Sequence, residues 1–229
     1  MSDGRIERGL GRQLAERQRL LDGGQTHLGW KAGFGSASIL EKFDLDGPLV
    51  GFMTSASVVA DGSVVDIGGW QRPVAEPELA VWVDRDVPAG GDEEQVRACI
   101  SALAPAIELA DVYPPPEDVE EVLAANVFHR GVILGEADPH RRGAHLDGLE
   151  PGSRLDSQEV EAPADLEALT GRLPSVVSHL AALLADRGET IAAGDVVICG
   201  SVVPPLSLSP GATAQFQLAP FPALTVHTT

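Results

Sequence analysis

PVAEPELAVWVD, residues 73–84, is the clearest strand in the chain. It places Val74, Ala75, Leu79, Ala80, Val81 and Trp82 around two glutamates, an apolar run of strand length. Residues two apart in a strand share a face, so Glu76 and Glu78 point the same way. Two carboxylates side by side among apolar groups repel one another and are poorly solvated, unless one is protonated or a cation lies between them. The alternative is the solvated face of an edge strand, with Pro77 marking the edge because proline cannot donate to a ladder.

Downstream, a polar loop leads to a helix at about 93–103 and then to a second apolar strand, PAIELADVY, whose Glu108 would be a costly lone charge. Three prolines and a short helix at 117–125 follow, and NVFHRGVILG (126–135) is another buried-strand candidate. Upstream, residues 5–22 carry Ile6, Leu10, Leu14, Leu20 and Leu21 at the spacing of a surface helix, ended by Gly23 and Gly24. From Leu28 to Asp66 the chain reads as short strands and turns, with a one- or two-turn helix at 36–42. Residues 136–172 are polar, with strands expected but weakly placed, and a helix at 174–187 starts with a proline in its first turn. Residues 194–229 alternate apolar strands with Gly/Pro turns. There is no internal repeat and no linker. The pattern predicts an α+β fold, a mixed β-roll or sandwich core with peripheral helices. An N-terminal helical segment, 1–25, precedes a single β-roll domain, 26–229.

The chain is 229 residues long, 44% apolar, with a formal charge of −18. That acidity and the lack of a basic run argue against nucleic acid, which binds through cationic neutralisation, and against anionic membranes. No apolar stretch approaches the roughly 18–20 residues a bilayer needs, and the polar start MSDGRIERGLGRQ lacks a signal core, so the expected location is cytoplasmic. Cys99 and Cys199 sit in apolar contexts that suit reduced core thiols. Fourteen arginines stand against two lysines, Lys31 and Lys42. Lys42 suits a solvated helix surface. Lys31 lies between Trp30, Ala32, Gly33 and Phe34. An amine held among apolar groups can exchange its proton near neutrality, a task arginine cannot perform, although a snorkelling or salt-bridged lysine fits the local sequence as well. If Glu76, Glu78 and Glu108 converge from neighbouring strands, they form a hard oxygen cage that favours Mg²⁺ or Mn²⁺ over zinc. Weaker candidates are His129, His27 as a neighbour of Lys31, and Asp111, three residues after Glu108. Phosphate-loop, dinucleotide and nucleophile-elbow patterns are absent.

Taken together, GWKAGFGS around Lys31, PVAEPELAVWV, AIELAD and GDVVICGS resemble the 2-oxopent-4-enoate hydratase and 4-oxalocrotonate decarboxylase branch of the fumarylacetoacetate hydrolase superfamily, over about Leu28 to Thr229. The resemblance implies that family's C-terminal-domain β-roll, self-association into a homo-oligomer, and a small 2-oxo acid as substrate. Lys31 inherits the proton-transfer role, and Glu76, Glu78 and Glu108 become the ligands of Mg²⁺ or Mn²⁺. Phe34, Asp46 and Ser201 become substrate contacts, with Asp111 and His129 behind them. The implied activity is hydration of a 2-oxo-4-enoic acid of the 2-hydroxypenta-2,4-dienoate type, giving a 4-hydroxy-2-oxo acid through a metal-stabilised enolate. Alternatives are decarboxylation of a 2-oxo-3-enedioate, hydrolysis of an acylpyruvate C–C bond with a histidine-activated water, or a non-catalytic partner subunit. The sequence departs from the family at Leu49, where an acidic residue is expected, at Phe128, His129 and Arg130, which replace small serine-like positions, and at Val203, which replaces a threonine. These changes fall where a substrate tail would lie.

Overall fold

The computed structural model describes residues 3–229. Asp3 caps helix α1, Gly4–Asp22, by accepting from the Arg5 amide, and the chain then forms β1, His27–Gly33, α2, Ala37–Phe43, and β2, Leu49–Thr54. A two-residue strand β3, Val64–Val65, precedes β4, Pro73–Val83. Helix α3, Glu93–Cys99, runs directly into β5, Ile100–Asp111. Helix α4, Val119–Ala124, leads to β6, His129–Leu134, then β7, Glu150–Leu155, and β8, Gln158–Val160. Helix α5, Leu173–Ala185, is followed by β9, Val196–Ser201, β10, Leu206–Ser207, β11, Thr213–Ala219, and β12, Leu224–Thr228.

Two sheets organise these elements, as an α+β roll. The larger runs β2-β1-β9-β4-β5-β6, with β10 also paired to β4, and the smaller runs β3-β12-β11-β7-β8. In β11 the inward set Ala214, Phe216 and Leu218 alternates with half-buried polar residues, so one face meets the core and the other meets water. That face joins Trp30, Phe52, Leu79, Val81, Leu103, Ile107 and Val197 from the outer side of the larger sheet, with Val177, Leu180 and Leu184 of α5, in the main core. The inner side of the larger sheet curls around Met53, Ala80, Ala106, Val132, Val196 and Ile198.

Helix α1 is built into this framework. Gln13 is fully buried and its Nε2 donates to the carbonyls of Val50 in β2 and Leu123 in α4. Gly9 allows the close approach, because a Cβ there would stand 2.6 Å from the Glu120 carbonyl oxygen. The helix expected over 93–103 stops at Cys99. Residues from Ile100 onward are strand because β4 supplies their partners, with Val83 opposite Ile100 and Val81 opposite Leu103. The strand expected from Asn126 begins only at His129, after a tight turn in which Asn126, Val127 and Phe128 all adopt left-handed backbone angles, with φ of 53°, 50° and 63°.

Candidate metal centre

Strand β4 is interior rather than an edge, with β5 on one side and β9 and β10 on the other. Pro77 is tolerated because the second side changes partner there. β9 pairs as far as Glu78 opposite Ser201, β10 resumes at Ala75 opposite Leu206, and in between the Val202 amide donates to the Pro77 carbonyl. No ladder bond is lost by the missing proline donor. Glu76 stands directly opposite Glu108 of β5 and Glu78 stands opposite Ala106, so all three glutamates share the inner face.

They converge: one carboxylate oxygen from each of Glu76, Glu78 and Glu108 lies within 4.8 Å of the others. Glu78 and Glu108 are fully buried and Glu76 is half-buried. Glu78 Oε2 accepts from the Gly200 amide at 2.8 Å, while Glu78 Oε1 and Glu108 Oε2 are buried without a hydrogen-bond partner among the described residues. Buried carboxylate oxygens normally carry hydrogen bonds, so two orphans in one cluster fit a cation-binding site. Gly200 makes its contact from a left-handed backbone at φ 96°, and a Cβ there would meet Thr170 Cγ2 at 2.7 Å.

Lys31 reaches this cluster from β1, with β9 and β4 lying between β1 and β5. On a flat sheet three strand spacings are about 14 Å. The curl closes that gap, and Lys31 Nζ donates to Glu108 Oε1 at 2.5 Å and to the Val127 carbonyl at 3.2 Å. Its ammonium is therefore salt-bridged and buried, not lodged among apolar groups alone. Gly51, opposite Lys31 in β2, leaves room for the stem, since a Cβ there would stand 2.7 Å from Lys31 Cγ. The Asn126 side chain accepts from the Phe52 amide and donates to its carbonyl, which pins the left-handed turn that presents Val127. Positive φ is costly for a β-branched residue, and here the cost falls on Val127, whose carbonyl accepts from Lys31.

Electrostatics follow from burial. Desolvation, reinforced by the charge on Glu108 and opposed by Lys31, pushes the Glu76 carboxyl up to about 7. Desolvation and the charges of Glu108 and Glu76 push Glu78 well above the ordinary carboxylate range. Burial would raise Glu108 too, but the charge of Lys31 and the hydrogen bond from His129 hold it below its usual value. With all three carboxylates ionised against one ammonium, the formal charge is −2, which one divalent cation balances.

The remaining predicted residues divide. His129 stands in the cluster, its Nδ1 2.7 Å from Glu108 Oε1. Phe34, at φ 61°, has its ring centroid 6.1 Å from those of Phe43, which it meets edge-on, and Phe128, to which it is tilted, next to the Lys31 turn. Ser201 is opposite Glu78, but its hydroxyl is engaged with the Val203 carbonyl at 2.7 Å. Asp111 is turned away: Oδ1 accepts from the Gln71 and Arg72 amides and Oδ2 faces Arg130, because it caps the chain entering β4. Asp46 is exposed, in a surface recess with Asp3, Arg5 and His179 that contains none of the three glutamates. His27 joins Asp195 and Trp30 at the start of β1, not Lys31. The sequence analysis does not single out Asn126, the Val127 carbonyl or Thr170; asparagine favours left-handed backbone, but nothing local extends that to Val127 and Phe128.

A family model described as fumarylacetoacetate (FAA) hydrolase C-terminal matches residues 31–228. A 4-oxalocrotonate decarboxylase of Pseudomonas sp. is 25% identical over 225 residues, 95% of this chain and 87% of the relative. A 2-hydroxyhexa-2,4-dienoate hydratase of Comamonas testosteroni is 26% identical over 187 residues, 79% of this chain and 70% of the relative. Among solved structures, the 4-oxalocrotonate decarboxylase of Pseudomonas putida G7, complexed with magnesium and adipate, superposes with a TM-score of 0.86 at 25% identity, covering 95% of this chain and 83% of that one.

Proposed function

Because the chain belongs to the fumarylacetoacetate hydrolase C-terminal family, we propose that its glutamate cluster holds a divalent cation, Mg²⁺ or Mn²⁺, and serves a lyase acting on a short 2-oxo-enoic acid. The observation that carries this reading is the set of buried, partnerless oxygens on Glu78 and Glu108 beside a buried lysine. Glu76, Glu78 and Glu108 would hold the ion, which supplies positive charge for the enolate that develops on the 2-oxo acid.

The chain's own residues do the rest. Lys31 is pre-positioned by Glu108 and the Val127 carbonyl, and it carries the proton that enters or leaves the substrate carbon chain. The strained turn and the small residue Gly51 keep the amine at one place, so orientation is set before substrate arrives. Phe34 and Phe128 border the turn and provide an apolar wall for the substrate tail. The primary reaction is hydration of a 2-hydroxypenta-2,4-dienoate-type acid to a 4-hydroxy-2-oxo acid. Water addition needs a group that exchanges a proton with the substrate, and Lys31 is the one the site holds ready for it.

A second reading, decarboxylation of a 2-oxo-3-enedioate, is favoured by the decarboxylase relative, which matches 95% of the chain. Both substrates offered with Mg²⁺, with product detected by mass spectrometry, separate the two: a gain of water marks the hydratase and release of CO₂ the decarboxylase. Turnover of neither by the wild type, or full turnover by Glu78→Gln, refutes the proposal.

A further inference from the structure

Glu108 Oε1 accepts from two side chains, Lys31 Nζ at 2.5 Å and His129 Nδ1 at 2.7 Å, while its Oε2 has no partner. A carboxyl torsion is broad and nearly two-fold, so one donor alone leaves the two oxygens interchangeable. A pair of charge-assisted donors on the same oxygen ties that oxygen to the protein and presents the other one.

The backbone shows how the histidine comes to be there. Along the β5–β6 ladder Glu108 faces Val132 and Leu109 faces Gly131, so regular pairing would set Arg130 opposite Ala110, on the same inner face as Glu108. The register slips between Leu109 and Ala110, and His129 takes that place instead. This is a bulge that re-aims side chains beside a site. Arg130 turns out to Asp111 at 3.4 Å, half exposed, and the His129 side chain is 4% exposed against Glu108. A guanidinium in its stead would change the formal charge of the cluster from −2 to −1 and compete with a divalent cation. A neutral imidazole can donate through Nδ1, whereas a guanidinium always brings a charge. His129 Nε2 is buried and has no hydrogen-bond partner among the described residues, so Nδ1 makes the ring's one hydrogen bond among them.

We propose that His129 is a positioning residue for the cation. Through its Nδ1–H on Glu108 Oε1 it fixes the carboxylate with Oε2 facing Glu76 and Glu78, and the β6 bulge exists to put an imidazole, not Arg130, in that role. The inference rests on the proposed function, since it assumes that the cluster binds a divalent ion, and it names a group by which this chain departs from the serine-like residues of the family it resembles. A histidine that orients a ligand typically changes metal affinity by about 10- to 100-fold when removed.

Calorimetric titration of the metal-free full-length protein with MnCl₂ tests it. The wild type binds, His129→Leu weakens the affinity by about tenfold or more, and His129→Asn restores most of it. Asparagine carries its N–H one bond from Cγ, as Nδ1 is, whereas His129→Gln carries it farther out and does not rescue. Nitrogen-15 spectra of the imidazole in the metal-free wild type should show the proton on Nδ1, a readout that needs no metal and survives if a variant fails to fold. Leucine and wild-type proteins of equal affinity, glutamine rescuing as well as asparagine, or a proton found only on Nε2 overturns the inference while leaving the metal site intact. A wild type that binds no Mn²⁺ overturns the functional reading itself, and the inference with it.

Discussion

Replacing Glu76 with glutamine should stabilise the metal-free protein and remove its response to metal. Burial and the neighbouring Glu108 raise the Glu76 carboxyl from 4.5 to about 7 in the fold. An acid whose folded pKa exceeds its unfolded value opposes folding once it ionises, so its destabilising effect grows as pH rises from about 4.5 to about 7 and is constant above. At about 1.36 kcal/mol per unit, the full effect is about 3 kcal/mol. In a domain of this size that is roughly 6–12 °C of melting temperature. Glutamine keeps the shape and carries no charge at any pH. Thermal melts in EDTA should therefore show Glu76→Gln melting above the wild type at about pH 8, with the two curves converging toward about pH 4.5. Excess MgCl₂ should invert the order, because ion at roughly 1,000 times its dissociation constant adds about 4.1 kcal/mol to the wild type, more than the burial of Glu76 costs it, and nothing to the variant. Coincident melts of the two proteins in EDTA at about pH 8, together with no Mg²⁺ response in the wild type, would refute the electrostatic argument.

Lys31→Met leaves the fully buried Glu108 without its cation and should cost roughly 3–5 kcal/mol by denaturant melts. Adding Glu108→Gln should return most of that stability but none of the turnover; recovery of turnover would exclude Lys31 from proton transfer. Gly51→Ala drives a methyl to 2.7 Å from Lys31 Cγ, so kcat should fall more than KM rises, and unchanged kcat would mean that the lysine's position is not critical. Sedimentation of the purified chain should give a multiple of 23.9 kDa; a monomer would refute the self-association expected from the family resemblance.

Much of the site was legible locally because a strand repeats every two residues. Glu76 and Glu78 on one face of an apolar strand, and Glu108 stranded in another, follow from the order of residues alone, as does the amphipathic helix at the start. The scarcity of lysine, two against fourteen arginines, marks out Lys31 in the sequence itself. Asp111 follows Glu108 by three within one strand, an odd spacing that turns it to the opposite face, where it accepts from the Gln71 and Arg72 amides. Asp46 lies in a surface recess apart from the three glutamates, and a residue in a turn follows no period from which its direction could be read.

Tertiary structure decided what no local period encodes. Residues 100–103 are strand because β4 offers them partners, although the same letters read well as helix. Lys31 meets Glu108 because the twist accumulated over β1, β9, β4 and β5 curls the sheet, and curvature is a property of four paired strands and not of any one of them. His129 rather than Arg130 faces the glutamates because the ladder slips by one residue, and with a period of two such a slip exchanges the faces of everything beyond it.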